Sequence, residues 1–93
     1  MVEDSRIPVP GKRIAARLID ERAYLLDPRK EELQCLNEVG SFIWDHIAQR
    51  TYTVAQLSAL MVDHFEVSTS DARSDLRDFL SELESREFIQ YRD

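Results

Sequence analysis

The sequence predicts an α+β fold in which a three-stranded antiparallel sheet is followed by three helices. In the first 36 residues, apolar side chains alternate with polar ones in three short runs, as in half-buried strands. From residue 38 onward the apolar spacing changes to three and four residues, which is typical of amphipathic helices. With 93 residues the chain has room for one hydrophobic core. This element order is typical of the winged helix-turn-helix class.

The strands are predicted at residues 12–19, 23–27 and 32–36. In the first, Ile14, Ala16 and Leu18 supply the alternation. Short polar connections join the runs, and Pro28 suits the second position of a tight turn, so we expect an antiparallel meander. The third strand contains no Pro, Gly or Lys that would discourage pairing at a sheet edge. It is therefore predicted to be open to strand addition by a peptide.

Each predicted helix has a recognisable start. Asn37 suits the N-cap of the first helix, and Ser68 suits that of the third. Thr53 and Gln56 have the spacing of a capping box at the second. Gly40 lies in the first turn of the first helix, where glycine costs about 1 kcal/mol relative to alanine. That cost predicts that another backbone passes close to Gly40.

The aromatic residues near the predicted helices are assigned mainly to the core. Trp44 falls beside the apolar stripe of the first helix, which favours packing in or near the core. The alternative is that Trp44 is an exposed anchor for a partner. Phe88 and Ile89 are expected to close the core just past the third helix.

The first residues and the composition of the chain predict its domain organisation and its cellular location. Residues 1–11 contain Pro8, Pro10 and Gly11, and they are predicted to be a flexible or extended lead-in to a single domain over residues 12–93. No apolar run approaches the roughly 20 residues needed to cross a bilayer, and no secretory signal is visible. The lone Cys35 fits a reducing compartment. A cytoplasmic location is therefore expected.

Four stretches of the chain resemble the PqqD-like family. In order, they are residues 24–28 (YLLDP), 36–44 (LNEVGSFIW), 53–57 (TVAQL) and 75–83 (DLRDFLSEL). Together they place the resemblance over about residues 13–91, nearly the whole chain. The chain departs from the family pattern at Gln49-Arg50 and at Glu87, where glycine is common. Neither departure touches the site that the resemblance implies.

The resemblance implies a small peptide chaperone, also called a RiPP recognition element, which binds the leader of a ribosomally made precursor peptide. In this family the leader joins the sheet beside the third strand and lies against the third helix. By position, main-chain hydrogen bonds are expected from Glu32, Leu33, Gln34 and Cys35. Side chains lining the groove are expected from Asp71, Asp75, Leu76 and Phe79. The domain would present the leader to a modifying enzyme, often a radical-SAM protein.

Catalysis finds little support in the sequence. His46 and His64 lie on different predicted helices, and Cys35 is the one cysteine, so no metal site or nucleophile with its base can be read from the spacing. The chain contains two glycines, which excludes a glycine-rich phosphate loop. We expect no enzyme activity and no cofactor.

The charge distribution separates two functions that fit the same element order. Residues 1–37 carry seven Lys/Arg and seven Asp/Glu, whereas residues 38–93 carry five Arg and eleven Asp/Glu. A winged-helix DNA-binding regulator is the alternative function, but the third helix, from Ser68 to Glu87, has a net charge of −3. Because phosphate binding depends on Lys and Arg, peptide binding ranks above DNA binding. A homodimer formed through the open edge strand is a further possibility.

Overall fold

The computed structural model describes residues 5–92. Its elements, in chain order, are β1 (Ile7–Pro10), β2 (Ala15–Ile19), β3 (Arg22–Asp27), β4 (Glu32–Cys35), α1 (Glu38–Ile47), α2 (Val54–Phe65), α3 (Thr69–Ser85) and β5 (Ile89–Arg92). The three predicted strands and the three predicted helices are confirmed as elements. The first strand was predicted over residues 12–19 as half-buried, but β2 begins at Ala15 and all five of its residues are exposed. Within the described range, no helix is long and apolar enough to span a membrane.

The main sheet has the strand order β2-β3-β4, and both of its pairings are antiparallel. Asp20 and Glu21, which join β2 to β3, both have a left-handed backbone, with φ of 51° and 65°. Two such residues make the type I′ turn that matches the twist of a two-residue hairpin. The meander therefore follows from local turns, as the sequence predicted.

Part of the lead-in is extended and not flexible, because it forms a strand of a second, two-stranded sheet. Ile7–Pro10 pairs antiparallel with Ile89–Arg92, and the N–H of Gly11 donates to the Phe88 carbonyl at 2.9 Å. In an antiparallel pair, every second residue bonds to the partner strand, and the Gly11 bond shows which residues of β1 do so. The nitrogens of Pro8 and Pro10 therefore face away from β5. Proline is tolerated in an edge strand at such positions. Residues 1–4 of the predicted lead-in lie outside the described residues.

The core lies between the inner face of the main sheet and the three helices. Leu25 of β3 and Ile43 and Ile47 of α1 are almost fully buried. Trp44 is 5% exposed and belongs to this core, which confirms the first of its two interpretations. Phe88 is fully buried just past α3, as predicted.

The predicted helix starts are confirmed by their hydrogen bonds. The Asn37 side chain accepts from the Gly40 N–H at 2.8 Å. The Thr53 hydroxyl accepts from the Gln56 N–H at 3.1 Å, and the Gln56 side chain accepts in return from the Thr53 N–H at 2.8 Å. The Ser68 hydroxyl accepts from the Asp71 N–H, in the first turn of α3, at 3.0 Å. Each cap satisfies donors that would otherwise lack a partner.

Gly40 is explained by a side chain, so the prediction of a nearby backbone is wrong. A Cβ atom at Gly40 would lie 3.0 Å from Cε1 of the Phe79 ring. The missing side chain thus lets α3 bring an aromatic ring against the first turn of α1.

The two departures from the family pattern fall at left-handed turns. Arg50, after α1, has φ of 67°, and Glu87, after α3, has φ of 65°. Glycine adopts this conformation without the steric cost that other residues meet. The turns are therefore retained in this chain at a small cost in backbone strain.

Candidate functional site

The outer edge of β4 is an unpaired backbone ladder within residues 5–92, because β4 pairs only with β3. The N–H of Leu36 donates to the Ala23 carbonyl at 2.9 Å, which sets the alternation of the antiparallel ladder. By that alternation, Gln34 and Glu32 bond to β3, whereas Leu33 and Cys35 turn their N–H and C=O groups outward. Main-chain bonding was expected from all four residues of β4. The geometry restricts the outward groups to two of them.

The side chains of β4 alternate between the two faces of the sheet. Leu33, which is 66% exposed, and Cys35 lie on the outer face. Glu32 and Gln34 are half-buried and lie on the inner face, toward the helices. A guest strand pairing with Leu33 and Cys35 would place alternate side chains on these same two faces.

One face of α3 stands beside this edge. It consists of residues spaced three or four apart, which share one side of a helix: Asp71, Asp75, Phe79, Glu82 and Arg86. We call these residues the α3 face. The Arg86 guanidinium donates to Gln34 Oε1 at 2.8 Å and pairs with Glu82 at 2.9 Å. The hydrogen bond ties the C-terminal end of the face to β4.

The α3 face and β4 run in opposite directions. Gln34 meets Arg86 at the end of α3, whereas Gly40, six residues later, meets Phe79 about two turns earlier in the helix. Asp75 and Asp71 lie one and two further turns along, past the Cys35 end of β4. Both are exposed and make no ion pair within the described part of the chain.

Three of the four predicted groove residues of α3 lie on this face, and the fourth does not. Asp71, Asp75 and Phe79 share it, but Leu76 is 1% exposed and packs in the hydrophobic core. The correction follows from helix geometry, because Leu76 lies about 100° around the axis from Asp75. Sequence reasoning also missed Glu82 and Arg86, although the spacing of three and four residues from Phe79 was the signal that could have found them.

A charged pair joins the turn between β3 and β4 to the end of α3. Lys30 Nζ lies 2.7 Å from Glu87 Oε1 and donates to the Arg86 carbonyl at 3.3 Å. The hydrogen bond with Glu87 raises the pKa of Lys30 and lowers the pKa of Glu87. This pair holds the turn against the end of α3.

Two carboxylates meet on the inner side of the same turn. Asp27 is fully buried, and its Oδ1 accepts from the Arg29 N–H at 3.0 Å. Burial acts to raise the pKa of Asp27, but the hydrogen bonds and positive charge of Arg29 outweigh it, and the pKa is lowered. Glu32 is the register partner of Asp27, and its buried Oε1 has no hydrogen-bond partner in residues 5–92. An acceptor therefore remains unsatisfied beside the edge.

The histidines lie away from the β4 edge and the α3 face, and they pack in an aromatic cluster. The ring of His64 stacks on Phe42 at 4.3 Å, and His46 Nδ1 lies 2.9 Å from the Phe42 carbonyl. Across the described residues, no three His, Cys, Asp or Glu side chains converge as a metal site would require.

Comparison with known proteins gives one family and two related structures. The family model described as Coenzyme PQQ synthesis protein D (PqqD) matches residues 22–89. No curated protein sequence matches the chain. The solved structure of TbiB1 in complex with the TbiA(beta) leader peptide has 24% identity and a TM-score of 0.83, covering 91% of this chain and 99% of that one. Lasso peptide synthetase B1 complexed with the leader peptide has 20% identity and a TM-score of 0.81, covering 90% and 98%. These two structures share the fold.

Proposed function

This chain belongs to the PqqD family, and from that premise we propose that it captures the leader of a ribosomally synthesised precursor peptide by strand addition at β4. It is a peptide chaperone of the RiPP recognition element type. Both structural relatives were solved with a leader peptide bound, which supports the same class of ligand here.

The observation that carries the proposal is an open strand edge with a helix wall beside it. Leu33 and Cys35 offer outward backbone groups, and main-chain pairing there supplies affinity. Guest side chains on the inner face meet Phe79 and its neighbours on α3, which supply selection. The acidic end of the α3 face, Asp75 and Asp71, favours a guest that carries a basic or hydrogen-bonding residue beyond the paired segment.

The protein acts by presentation and leaves the chemistry to a partner. It holds the leader for a modifying enzyme, of which a radical-SAM protein is one candidate, and it is itself neither a catalyst nor a cofactor carrier. The setting is the cytoplasm, where the precursor is made.

The test compares proline at the two open edges of the sheet. Leu33→Pro removes the outward N–H of β4 without breaking a bond to β3, because Leu33 does not bond to β3. Leu18→Pro does the same on β2, since the hairpin register turns the Leu18 N–H outward too. The two leucines are 66% and 65% exposed, so the pair is matched in residue type, burial and bonding.

A leader peptide, taken from a short precursor to be sought among the neighbouring genes, is labelled with fluorescein and titrated against each variant. Leu33→Pro is expected to weaken binding by roughly 10- to 100-fold, because one hydrogen bond is lost and a guest carbonyl is left unpaired, at about 1–3 kcal/mol. Leu18→Pro is expected to bind like the wild type. Circular dichroism checks that both variants fold.

Three results would contradict the proposal. One is unchanged binding in a folded Leu33→Pro variant, and a second is an equal loss in both variants. The third is absence of leader binding together with tight, salt-sensitive binding to duplex DNA. Sedimentation of the free protein shows whether the same edge pairs with a second copy, in which case Leu33→Pro converts a dimer to a monomer.

A further inference from the structure

A cleft of about 760 Å³ lies between α2 and α3, on the side of α3 turned away from β4. Its apolar lining comes from both helices: Val54, Ala55, Ala59, Val62, Leu76 and Leu80. None of these residues belongs to the α3 face. The cleft is therefore a second surface, separate from the site proposed for the leader.

The shape of the cleft suits a helix. On α3 its lining residues run from Thr69 to Glu84, about 22 Å or four helical turns. Ala55, Ala59 and Ser81 are small, which allows another backbone to approach closely. The two long walls of the cleft are helical, and Arg6 and the β5 residue Tyr91 also line it. A third helix can pack lengthwise against the two helical walls, as in helix-in-groove recognition.

The charges at the rim select the chemistry of that helix. Three arginines, Arg6, Arg73 and Arg77, line the cleft against two carboxylates, Asp63 and Glu84, in a chain of formal net charge −6. The rim thus has a formal net charge of +1, from three Arg and two Asp/Glu, on an acidic protein, and Arg73 already has a partner.

Two of these arginines have guanidinium donors that a group from outside could pair with: Arg77 is exposed, and Arg6 has a buried donor. Arg77 has no hydrogen bond or ion pair within residues 5–92. The Arg6 guanidinium stacks on the Tyr91 ring at 3.8 Å, and its Nε is buried without a hydrogen-bond partner in that same range. A buried donor without an acceptor is costly, and a carboxylate on the occupant would satisfy it.

We propose that the α2–α3 cleft docks an amphipathic helix of a partner protein, which lays its apolar stripe between the helices and directs acidic side chains to Arg6 and Arg77. This interaction goes beyond leader binding and leaves the β4 edge free. One molecule could then hold a leader and a partner protein at the same time.

The test uses two synthetic helical peptides of about four turns that carry the same apolar stripe at i, i+3, i+4 and i+7. One has glutamate on both flanks of the stripe and the other has lysine. Each is labelled and titrated by fluorescence anisotropy. The glutamate peptide is expected to bind at least 10-fold more tightly than the lysine peptide. The changes that it causes in the protein's amide chemical shifts are expected at residues of α2 and α3.

Arg77→Glu is expected to remove most of that preference and to leave leader binding unchanged. The matched control is Arg17→Glu, at an exposed arginine on β2, which is expected to change neither. Equal binding of the two peptides, shift changes away from α2 and α3, or an unaltered preference in Arg77→Glu overturns the proposal. Because leader binding is measured separately, failure here is distinguishable from failure of the leader-binding function.

Discussion

The outer strands of the main sheet, β2 and β4, present the same backbone chemistry to solvent and differ in what stands beside them. Each pairs only with β3 in the described part of the chain, and each carries an exposed leucine whose backbone groups face outward. All five residues of β2 are exposed. Beside β4 stands the α3 face, joined to it through Gln34 and Arg86. Beside β2, a smaller cleft brings Leu18 together with Trp44 of α1. An open ladder alone would accept any extended chain, so we expect the helix beside each edge to decide whether a guest strand is selected there.

The two strands also differ in how they are anchored. The Ser41 hydroxyl accepts from the Ala23 N–H at 2.8 Å and donates to the Leu36 carbonyl at 3.2 Å. It is therefore inserted into the β3–β4 ladder at the point where the chain leaves the sheet for α1. This bridge fixes the end of β4 on the helical layer.

The largest expected effect comes from removing that bridge. Ser41→Ala leaves a buried N–H and a carbonyl without partners, which is expected to lower the free energy of unfolding by about 1–3 kcal/mol. Urea denaturation followed by circular dichroism measures it. Ser58→Ala is the control, since Ser58 is buried to a similar degree and no side-chain hydrogen bond is seen for it within residues 5–92. An equal loss in both variants would mean that the bridge does not anchor β4.

The next effect concerns the wall beside β4. Phe79→Ala removes the half-buried ring of the α3 face and is expected to weaken leader binding roughly 10-fold, since aromatic side chains often dominate such contacts. Phe42→Ala removes a ring of similar burial from the aromatic cluster and is expected to leave leader affinity unchanged. Both affinities are measured by fluorescence anisotropy. A matching loss in Phe42→Ala would show that the effect arises from stability and not from contact.

The smallest effect is the pH dependence of the free energy of unfolding that arises from the Lys30–Glu87 pair. The pKa of Glu87 is lowered in the folded state by Lys30, so the unfolded chain binds more protons there as pH falls. The pair's contribution to stability is complete above the ordinary pKa of 4.5 and is lost as pH falls through the lowered value. Glu87→Gln is expected to show a shallower loss of stability in acid than the wild type. Parallel profiles of unfolding free energy against pH would refute this.

Local chemistry explains which parts of the fold could be predicted. The caps at Asn37, Thr53 and Ser68 depend on residues within one helical turn, and the sequence displays them directly. The pairing of β1 with β5 joins residues at opposite ends of the chain, so no short pattern could reveal it. For that reason the sequence left open whether the first residues were flexible or extended.

The candidate site shows the same division. The β4 edge and three residues of the α3 face were predicted from the resemblance to a family. Leu76 was assigned to the groove by its position in the resemblance, whereas the structure buries it in the core. The outward direction of the Leu33 and Cys35 backbone groups depends on ladder register, which follows from a bond between Leu36 and Ala23.

The shortness of β4 has a consequence for accuracy. β4 has four residues, and the backbone N–H and C=O groups of two of them face outward, so it offers a guest strand a single pairing register. A slip of two positions would forfeit about half of the shared backbone bonds, and a slip of one would send every side chain to the opposite face. A strand this short therefore fixes the register of a paired segment, whereas a longer strand would allow several registers.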